Sequence, residues 1–170
     1  MEDEIFDIVD KNDKVLYQER RSEVIAKKLR HRSIQCFIMN SQKELFVHQR
    51  TFSKQLYPGY YDICVSGGVK TGENYYECVK REILEEVGLF GKMIRFLFDL
   101  EYNSPELNYI GKIYLVKHDG KMKLQKEEII DGKFMKIEEI DAMIAQGEKF
   151  CPDSIITFER FKKLMKEGKV

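Results

Sequence analysis

The segment SGGVKTGENYYECVKREILEEVGL, residues 66–89, places glycines on both sides of a helical pattern. Glycine lets a backbone turn through positive φ and approach a ligand closely. The segment therefore predicts a loop followed by a helix over residues 74–87, with Gly88 as its C-cap. Three acidic residues, Glu82, Glu85 and Glu86, fall within five positions of this helix. A helix that concentrates its negative charge in this way needs a compensating interaction.

The three carboxylates share one side of the predicted helix, because each residue advances about 100° and the three span an arc of about 100°. Beside them, an apolar stripe would dock the helix on a sheet, and the acids would lie along the border of that stripe. The stripe consists of Tyr76, Val79, Ile83 and Val87. Each like-charge pair at this spacing costs about 0.2–0.5 kcal/mol.

A divalent cation would compensate this charge, because Mg²⁺ takes hard oxygen ligands and often bridges to substrate phosphates. The alternative is a solvated acidic face. The glycines before the helix favour the cation, since such a loop can offer a carbonyl to a metal or amides to a phosphate at the helix N-terminus.

The rest of the chain reads as short strands interleaved with helices, which predicts a three-layer α/β/α sandwich around a mixed sheet. We expect a single domain over residues 1–170. Residues 1–30 form an N-terminal extension of two strands and a helix with Ser22 as its N-cap. An amphipathic helix over residues 153–168 closes the chain. The N-terminal strands are a candidate contact for a homodimer.

Composition limits the partners. The 29 basic and 29 acidic residues balance, so bulk charge gives no argument for a nucleic-acid partner. No apolar run approaches the roughly 20 residues of a membrane span, and the acidic start lacks the features of a signal peptide. The four cysteines contain no CxxC motif and are expected to be reduced thiols. We therefore expect a cytoplasmic protein.

The glutamate segment resembles the Nudix box, Gx5Ex7REUxEExGU with U an apolar residue, at every defined position. The matching positions, within residues 67–89, are Gly67, Glu73, Arg81, Glu82, Ile83, Glu85, Glu86, Gly88 and Leu89. The resemblance to Nudix hydrolases implies an α/β/α sandwich with a central mixed sheet, in which the box forms a loop–helix–loop metal site. It also implies a small-molecule partner, a nucleoside diphosphate linked to another moiety, whose diphosphate bond is hydrolysed with divalent metal.

The resemblance implies roles for the residues of the box. Glu82, Glu85 and Glu86 become catalytic groups and ligands of Mg²⁺ or Mn²⁺, with a backbone carbonyl at Gly67 or Ser66. Arg81 and Glu73 form a structural pair that braces the loop against the helix. The base that accepts the proton of the attacking water is either a box glutamate or an acid of the later segment QKEEII, which contains Glu127 and Glu128. For these two residues the alternative is a charged turn.

The chain also resembles isopentenyl-diphosphate isomerase, and equally the hydrolases closest to it, in FDIVDKNDKVLYQERR, LRHRSIQCFIMN and HQRTFSKQLYPGYYD. Three departures favour the hydrolase. The catalytic cysteine position of the isomerase holds Ser66, a metal-histidine position holds Gly68, and a glutamate position holds Tyr109. Cys64, on the same side of an extended strand as Ser66, leaves a displaced thiol as an alternative. A third interpretation is a non-catalytic nucleotide-binding module, which would predict a damaged box.

Three basic residues match anion-binding places of the isomerase: Arg20, Arg50 and Lys54. An arginine fork suits a phosphate, and Lys54 lies in the loop before Pro58, from which it can reach a diphosphate. We expect these residues to bind substrate, with solvated loop charges as the alternative. His31 matches a metal histidine of the isomerase, but without the remainder of that site we expect a hydrogen-bonded histidine at a strand start.

Overall fold

The computed structural model describes residues 3–170; residues 1 and 2, which the predicted extension and domain include, lie outside the described part. Nine strands and four helices follow one another in these residues. The strands are β1 (Ile5–Val9), β2 (Val15–Arg20), β3 (His31–Met39), β4 (Leu45–Arg50), β5 (Tyr61–Asp62), β6 (Val65–Gly68), β7 (Ile94–Asn103), β8 (Asn108–Lys117) and β9 (Ile129–Met135). The helices are α1 (Arg21–Lys27), α2 (Tyr75–Val87), α3 (Ile137–Ala145) and α4 (Pro152–Lys166).

Strand β3 organises the sheet. It pairs in parallel with β8, in a register that runs from His31 opposite Tyr109 to Met39 opposite Lys117. It pairs antiparallel with β1 and β6, and touches β4 at its end. Strand β4 pairs antiparallel with β5 and β9, and the antiparallel pairs β1–β2 and β7–β8 complete the sheet. The sheet is therefore mixed, as the sequence predicts.

Alternation along β3 produces two cores, because successive side chains of a strand point to opposite faces. Cys36 packs with Ile83 of α2 on one face, whereas Phe37 packs with Phe158 of α4 on the other. Helices thus cover both faces of the sheet, which confirms the predicted α/β/α sandwich. No helix within residues 3–170 has the length and apolar character needed to cross a bilayer.

Helix α2 has the predicted ends. The side chain of Asn74 accepts the backbone N–H of Glu77 while the Glu77 side chain accepts the N–H of Asn74, a complete capping box. Gly88 is the C-cap with φ of 71°. These caps satisfy backbone groups that a helix end would leave without partners.

The buried face of α2 differs from the predicted stripe. Tyr76 is 48% exposed, whereas Glu86 is buried and Tyr75 packs against the core. At about 100° per residue, Tyr75 and Glu86 lie near the centre of an arc that also contains Val79. The buried arc is therefore rotated toward the acids, and Glu86 lies inside it rather than along its border.

The start of α1 also corrects the sequence prediction. The helix begins at Arg21, and its N-cap, Arg20, makes no side-chain capping bond. Ser22 lies within the first turn, where its hydroxyl and its N–H (3.2 Å) donate to the carboxylate of Asp3. A side chain from the preceding segment thus performs the role that was predicted for Ser22.

The core beneath α4 gives a stability prediction. Phe158 is fully buried and Ile156 on the same helix is half-exposed. We expect Phe158→Ala to lower the free energy of unfolding by about 3–5 kcal/mol, and Ile156→Ala by less than about 1 kcal/mol. Urea denaturation of both variants measures the difference. Equal losses would contradict the packing described here.

Candidate active site

Arg81 joins the loop before α2 to the helix itself. Its Nε and Nη2 donate to the two carboxylate oxygens of Glu73 at 2.6 and 2.9 Å, a bidentate pair. Nη2 also donates to the carbonyl of Gly68 at 3.2 Å. The geometry matches the bracing role predicted for Arg81 and Glu73.

The same guanidinium contacts two of the predicted metal ligands. Its Nη1 donates to Glu82 at 2.6 Å and to Glu85 at 3.3 Å. The Glu85 side chain is 50% exposed, whereas that of Glu82 is mostly buried. Arg81 therefore holds two carboxylates near each other, one facing solvent and one facing the sheet.

Gly67 allows Glu82 to lie directly against β6. A Cβ atom at Gly67 would overlap the Glu82 carboxylate, so any other residue would displace it. The carbonyl of Gly67, the predicted backbone ligand, accepts a hydrogen bond from the hydroxyl of Ser33 at 3.0 Å. The thiol of Cys78 also lies 3.9 Å from this carbonyl oxygen.

Glu86 carries the least compensated charge of the box. It is 7% exposed, and no group within residues 3–170 donates a hydrogen bond to its carboxylate. Burial, and next the charge of Glu82, raises the pKa of Glu86 to about 8 against the opposing field of Lys54. Burial likewise raises the pKa of Glu82 to about 7, although Arg81 opposes the rise. Both carboxylates require nearby positive charge in order to ionise.

A divalent cation fits this donor set, because Mg²⁺ and Mn²⁺ prefer carboxylate and carbonyl oxygens. Within residues 3–170, no three acidic, histidine or cysteine side chains already surround a common ion position. Arg81 engages both Glu82 and Glu85 in this structure.

Lys54 and Glu128, predicted from distant parts of the sequence, form an ion pair. Backbone bonds hold it at the end of α2: the N–H of Gln125 donates to the carbonyl of Glu86 at 2.9 Å, and that of Thr51 to the carbonyl of Glu128 at 3.0 Å. The charge of Lys54 opposes the rise in the pKa of Glu86. The side chain of Glu127, the other candidate base, is exposed.

A cleft with a volume of about 110 Å³ opens on the side of the sheet that faces α4. Arg50 and Lys54 line it, as does Ser66. Arg20 is exposed on β2 and is not among the lining residues, whereas Arg21 is. The chain turns from β2 into α1 between Arg20 and Arg21, so the side chain of Arg21 faces the cleft. The sequence shows that two arginines are adjacent here but not which of them faces the cleft.

The polar floor of the cleft was not predicted. Asp153, in the first turn of α4, accepts hydrogen bonds from Tyr109 and Gln35, each at 2.8 Å. Asp62 accepts the N–H of Cys64 at 3.0 Å and lies 3.8 Å from the guanidinium of Arg50. The sequence signal that could have identified Asp153 is its position directly after Pro152 at a helix start. An aspartate at that position is also typical of any helix N-terminus, so the signal is not specific for a site.

His31 is buried at the start of β3, and its Nδ1 lies 3.0 Å from the carbonyl of Leu29. This contact matches the hydrogen-bonded histidine expected from the sequence. Cys36 and Cys78 are buried.

Comparison with known proteins places this site in a family. A family model described as NUDIX domain matches residues 29–153. The chain belongs to the Nudix family. The matched region begins after β1, β2 and α1, so the Nudix match excludes most of the N-terminal extension.

The relatives agree with this assignment. An uncharacterised Nudix hydrolase of Streptomyces coelicolor is 33% identical over 165 residues, which cover 94% of this chain and 89% of the relative. A Nudix hydrolase of Deinococcus radiodurans is 30% identical over 148 residues, 86% of each chain. The crystal structure of DR0079 from Deinococcus radiodurans superimposes with a TM-score of 0.80 at 28% identity, covering 92% of this chain and 98% of that one.

A more distant structure shares the fold. The Nudix domain of Shewanella oneidensis NrtR, solved in complex with ADP ribose, has a TM-score of 0.64 at 12% identity and covers 85% of this chain and 98% of its own. The comparisons confirm the predicted Nudix fold and identify the protein as a hydrolase, and Nudix hydrolases generally use divalent cations. A particular closeness to isopentenyl-diphosphate isomerase stays a prediction.

The buried carboxylates predict how stability depends on pH without metal. Folding raises the pKa of Glu82 and Glu86 from 4.5 to about 7 and about 8. At pH values between the unfolded-state and folded-state pKa of these carboxyls, the folded state binds more protons than the unfolded state. The free energy of unfolding therefore falls as pH rises from about 5 to about 8. Urea denaturation in EDTA measures this slope, and Glu86→Gln should flatten it.

Glu138→Gln is the matched control, because Glu138 is exposed on α3. It should keep the wild-type slope. If Glu86→Gln also kept the full slope, the Glu86 carboxylate would not be the destabilised group.

Proposed function

We propose that this protein is a Mg²⁺- or Mn²⁺-dependent pyrophosphohydrolase that cleaves the diphosphate bond of a nucleoside diphosphate linked to another moiety. The observation that carries the proposal is the buried Glu86 carboxylate, which lies near Glu82 and Lys54 and accepts no hydrogen bond within residues 3–170. Such a group is costly unless the site is completed by a cation.

Glu82, Glu85 and Glu86 would hold the metal, with the Gly67 carbonyl as a further oxygen ligand. When bound, a divalent cation neutralises charge on the phosphate oxygens and promotes ionisation of the attacking water. Arg81 and Glu73 keep the loop and the helix in register, which fixes the separation between Gly67 and the carboxylates.

The basic residues of the cleft would bind the diphosphate. Arg50 and Lys54 line it together with Arg21, which we propose in place of Arg20. Guanidinium groups match phosphate oxygens in a bidentate manner, and an ammonium acts as a point charge. Three cations around one opening concentrate positive potential where the diphosphate enters.

Glu128 is our candidate for the general base. In this structure its carboxylate is paired with Lys54. A bound diphosphate would attract the Lys54 ammonium, and the Glu128 carboxylate would then be free to accept the proton of the attacking water. The ion pair thus keeps the base inactive until substrate charge enters the cleft.

The isomerase alternative has little support in the cleft. Cys64, the displaced thiol, is buried and is not among the lining residues, and burial raises the pKa of its thiol. Cys151 does line the cleft, but burial raises its pKa as well. Tyr109 donates its hydroxyl to Asp153 and cannot supply a carboxylate.

The complete box likewise argues against a binding module that has lost catalysis. Homodimerisation through the N-terminal strands and a cytoplasmic location stay predictions.

A substrate panel tests the proposal. Nucleotide sugars, ADP-ribose, dinucleoside polyphosphates and nucleoside triphosphates are incubated with protein and Mg²⁺ or Mn²⁺, and products are separated chromatographically. We expect EDTA-sensitive cleavage of at least one compound, and a loss of about 10²-fold or more in kcat for Glu86→Gln, since a ligand that neutralises transition-state charge is removed.

Glu138→Gln is again the control and should retain wild-type turnover. No EDTA-sensitive product from any compound would favour the non-catalytic binding module instead.

A further inference from the structure

Strand β1 of the N-terminal extension lies against the box loop, the segment of residues 69–73 between β6 and the N-cap of α2. The N–H of Thr71 donates to the carbonyl of Ile5 at 2.8 Å, and Phe6 forms an antiparallel bridge with Lys70. Strand β1 therefore pairs with the box loop as well as with β2 and β3. These contacts join the loop to a part of the chain that precedes the matched Nudix region.

Two side-chain contacts strengthen this pairing, and both use carboxylates of the extension. The hydroxyl of Thr71 donates to Oδ1 of Asp7 at 2.9 Å, and Nζ of Lys70 lies 2.8 Å from Oε1 of Glu4. The Glu4 and Lys70 side chains are partly exposed, so solvent weakens their pair. The Asp7 side chain is only 14% exposed, and a hydrogen bond to a charged acceptor is stronger than one between neutral groups. The Thr71–Asp7 bond is therefore the principal side-chain contact between β1 and the box loop.

Asp7 is itself held in place by Arg32 of β3. Nη1 of Arg32 lies 3.6 Å from Oδ2 of Asp7, and Nε of Arg32 donates to Asp13 at 2.6 Å. Asp13, in the turn between β1 and β2, also accepts the hydroxyl of Tyr75 at 3.1 Å. Because Tyr75 is the first residue of α2, the extension contacts both the box loop and the start of the helix.

Phe6 packs directly on the strand that precedes the box loop. Phe6 is buried, and a Cβ atom at Gly68 would overlap its ring. The absence of a side chain at Gly68 therefore allows β1 to lie this close to β6. The carbonyl of Gly68 accepts a hydrogen bond from Arg81, so Gly68 contacts both the extension and the bracing arginine.

The position of the box loop determines where Glu73 lies. The N–H of Lys70 donates to Oε2 of Glu73 at 3.1 Å, and the N–H of Glu73 donates to the carbonyl of Lys70 at 3.0 Å, which closes a tight turn. Glu73 binds Arg81 in a bidentate manner, and Arg81 donates to Glu82. A displacement of this turn would therefore move the pair that orients a proposed metal ligand.

We propose that the N-terminal extension positions the metal site, and that Asp7 is a positioning residue that acts through Thr71. This inference rests on the proposed function, because it concerns the metal that the box glutamates would hold. Without the Thr71–Asp7 bond, backbone contacts and a partly exposed ion pair alone would attach the box loop to β1. The Glu73–Arg81 pair would then shift relative to the carboxylates, and the affinity for a divalent cation would fall.

The test is calorimetric titration of Mn²⁺ into the full chain, which does not depend on turnover. Thr71→Val keeps the shape of the side chain and removes the hydroxyl, whereas Thr71→Ser keeps the hydroxyl. We expect the affinity for Mn²⁺ to fall about 3- to 10-fold in Thr71→Val, as for the loss of one hydrogen bond whose effect is partly transmitted to the metal site. In Thr71→Ser it should stay within about twofold of the wild type, because the bond to Asp7 is kept.

A double-mutant cycle shows whether Asp7 acts through Thr71. Asp7→Ala should lower the affinity for Mn²⁺ at least as much as Thr71→Val does. The double variant should bind no more weakly than Asp7→Ala alone, because both changes remove the same bond. Ser22→Ala is the matched control: it removes a hydroxyl bond of the extension that does not involve the box loop, and it should keep the wild-type affinity.

Urea denaturation of the same variants separates positioning from stability. A lower free energy of unfolding with unchanged Mn²⁺ affinity in Thr71→Val would overturn the inference, as would an equal loss of affinity in Thr71→Ser or additive losses in the cycle. The comparison of Thr71→Val with Thr71→Ser decides even if Asp7→Ala does not fold.

The outcomes also distinguish this inference from the proposed function. Unchanged affinities in all variants, with metal-dependent hydrolysis by the wild type, would refute this inference alone. The expected affinities without hydrolysis of any substrate would refute the proposed function alone. Absence of Mn²⁺ binding in the wild type would contradict both.

Discussion

The site depends on one electrostatic constraint: two carboxylates, those of Glu82 and Glu86, are buried against the sheet with less positive charge than they need. Docking α2 on the sheet requires burial of the face that contains Val79 and Ile83, and Glu86 lies within that face. Placement of a carboxylate in such a position is tolerated only if a partner supplies charge. Lys54 supplies part of it, and a divalent cation would supply the rest.

Arg81 makes this arrangement compatible with folding. Its guanidinium binds Glu73 in a bidentate manner and also contacts Glu82 and Glu85. The loop, the helix and two of the three acids are thus held by one side chain. The Lys54–Glu128 pair is joined to the end of α2 by a chain of backbone hydrogen bonds through Thr51 and Gln125. Lys54 lines the cleft in which we propose that a diphosphate binds.

The local motif made much of this predictable. The sequence pattern predicted the ends of α2, and the resemblance to the Nudix box implied the Glu73–Arg81 pair; both features depend on residues close in sequence. Long-range features were harder. The pairing of Lys54 with Glu128 was not foreseen, although both were candidates. The choice of Arg21 over Arg20, and the union of Asp153 with Gln35, depend on how α1 and α4 meet the sheet. The prediction that Tyr76 is buried was wrong. Helical periodicity gives the angles between side chains around the helix, but it does not show which of those angles faces the sheet.

Direct measurement of metal binding tests the central claim, that the buried carboxylates form a cation site. Mn²⁺ is titrated calorimetrically into the wild type and into Glu86→Gln, which keeps the shape of the side chain and removes its charge. The account predicts one or more Mn²⁺ ions bound by the wild type and an affinity at least about tenfold weaker in the variant, since an anionic oxygen ligand is lost. Equal affinities for the two proteins would contradict the account and would leave Glu86 as a buried acid without a metal role.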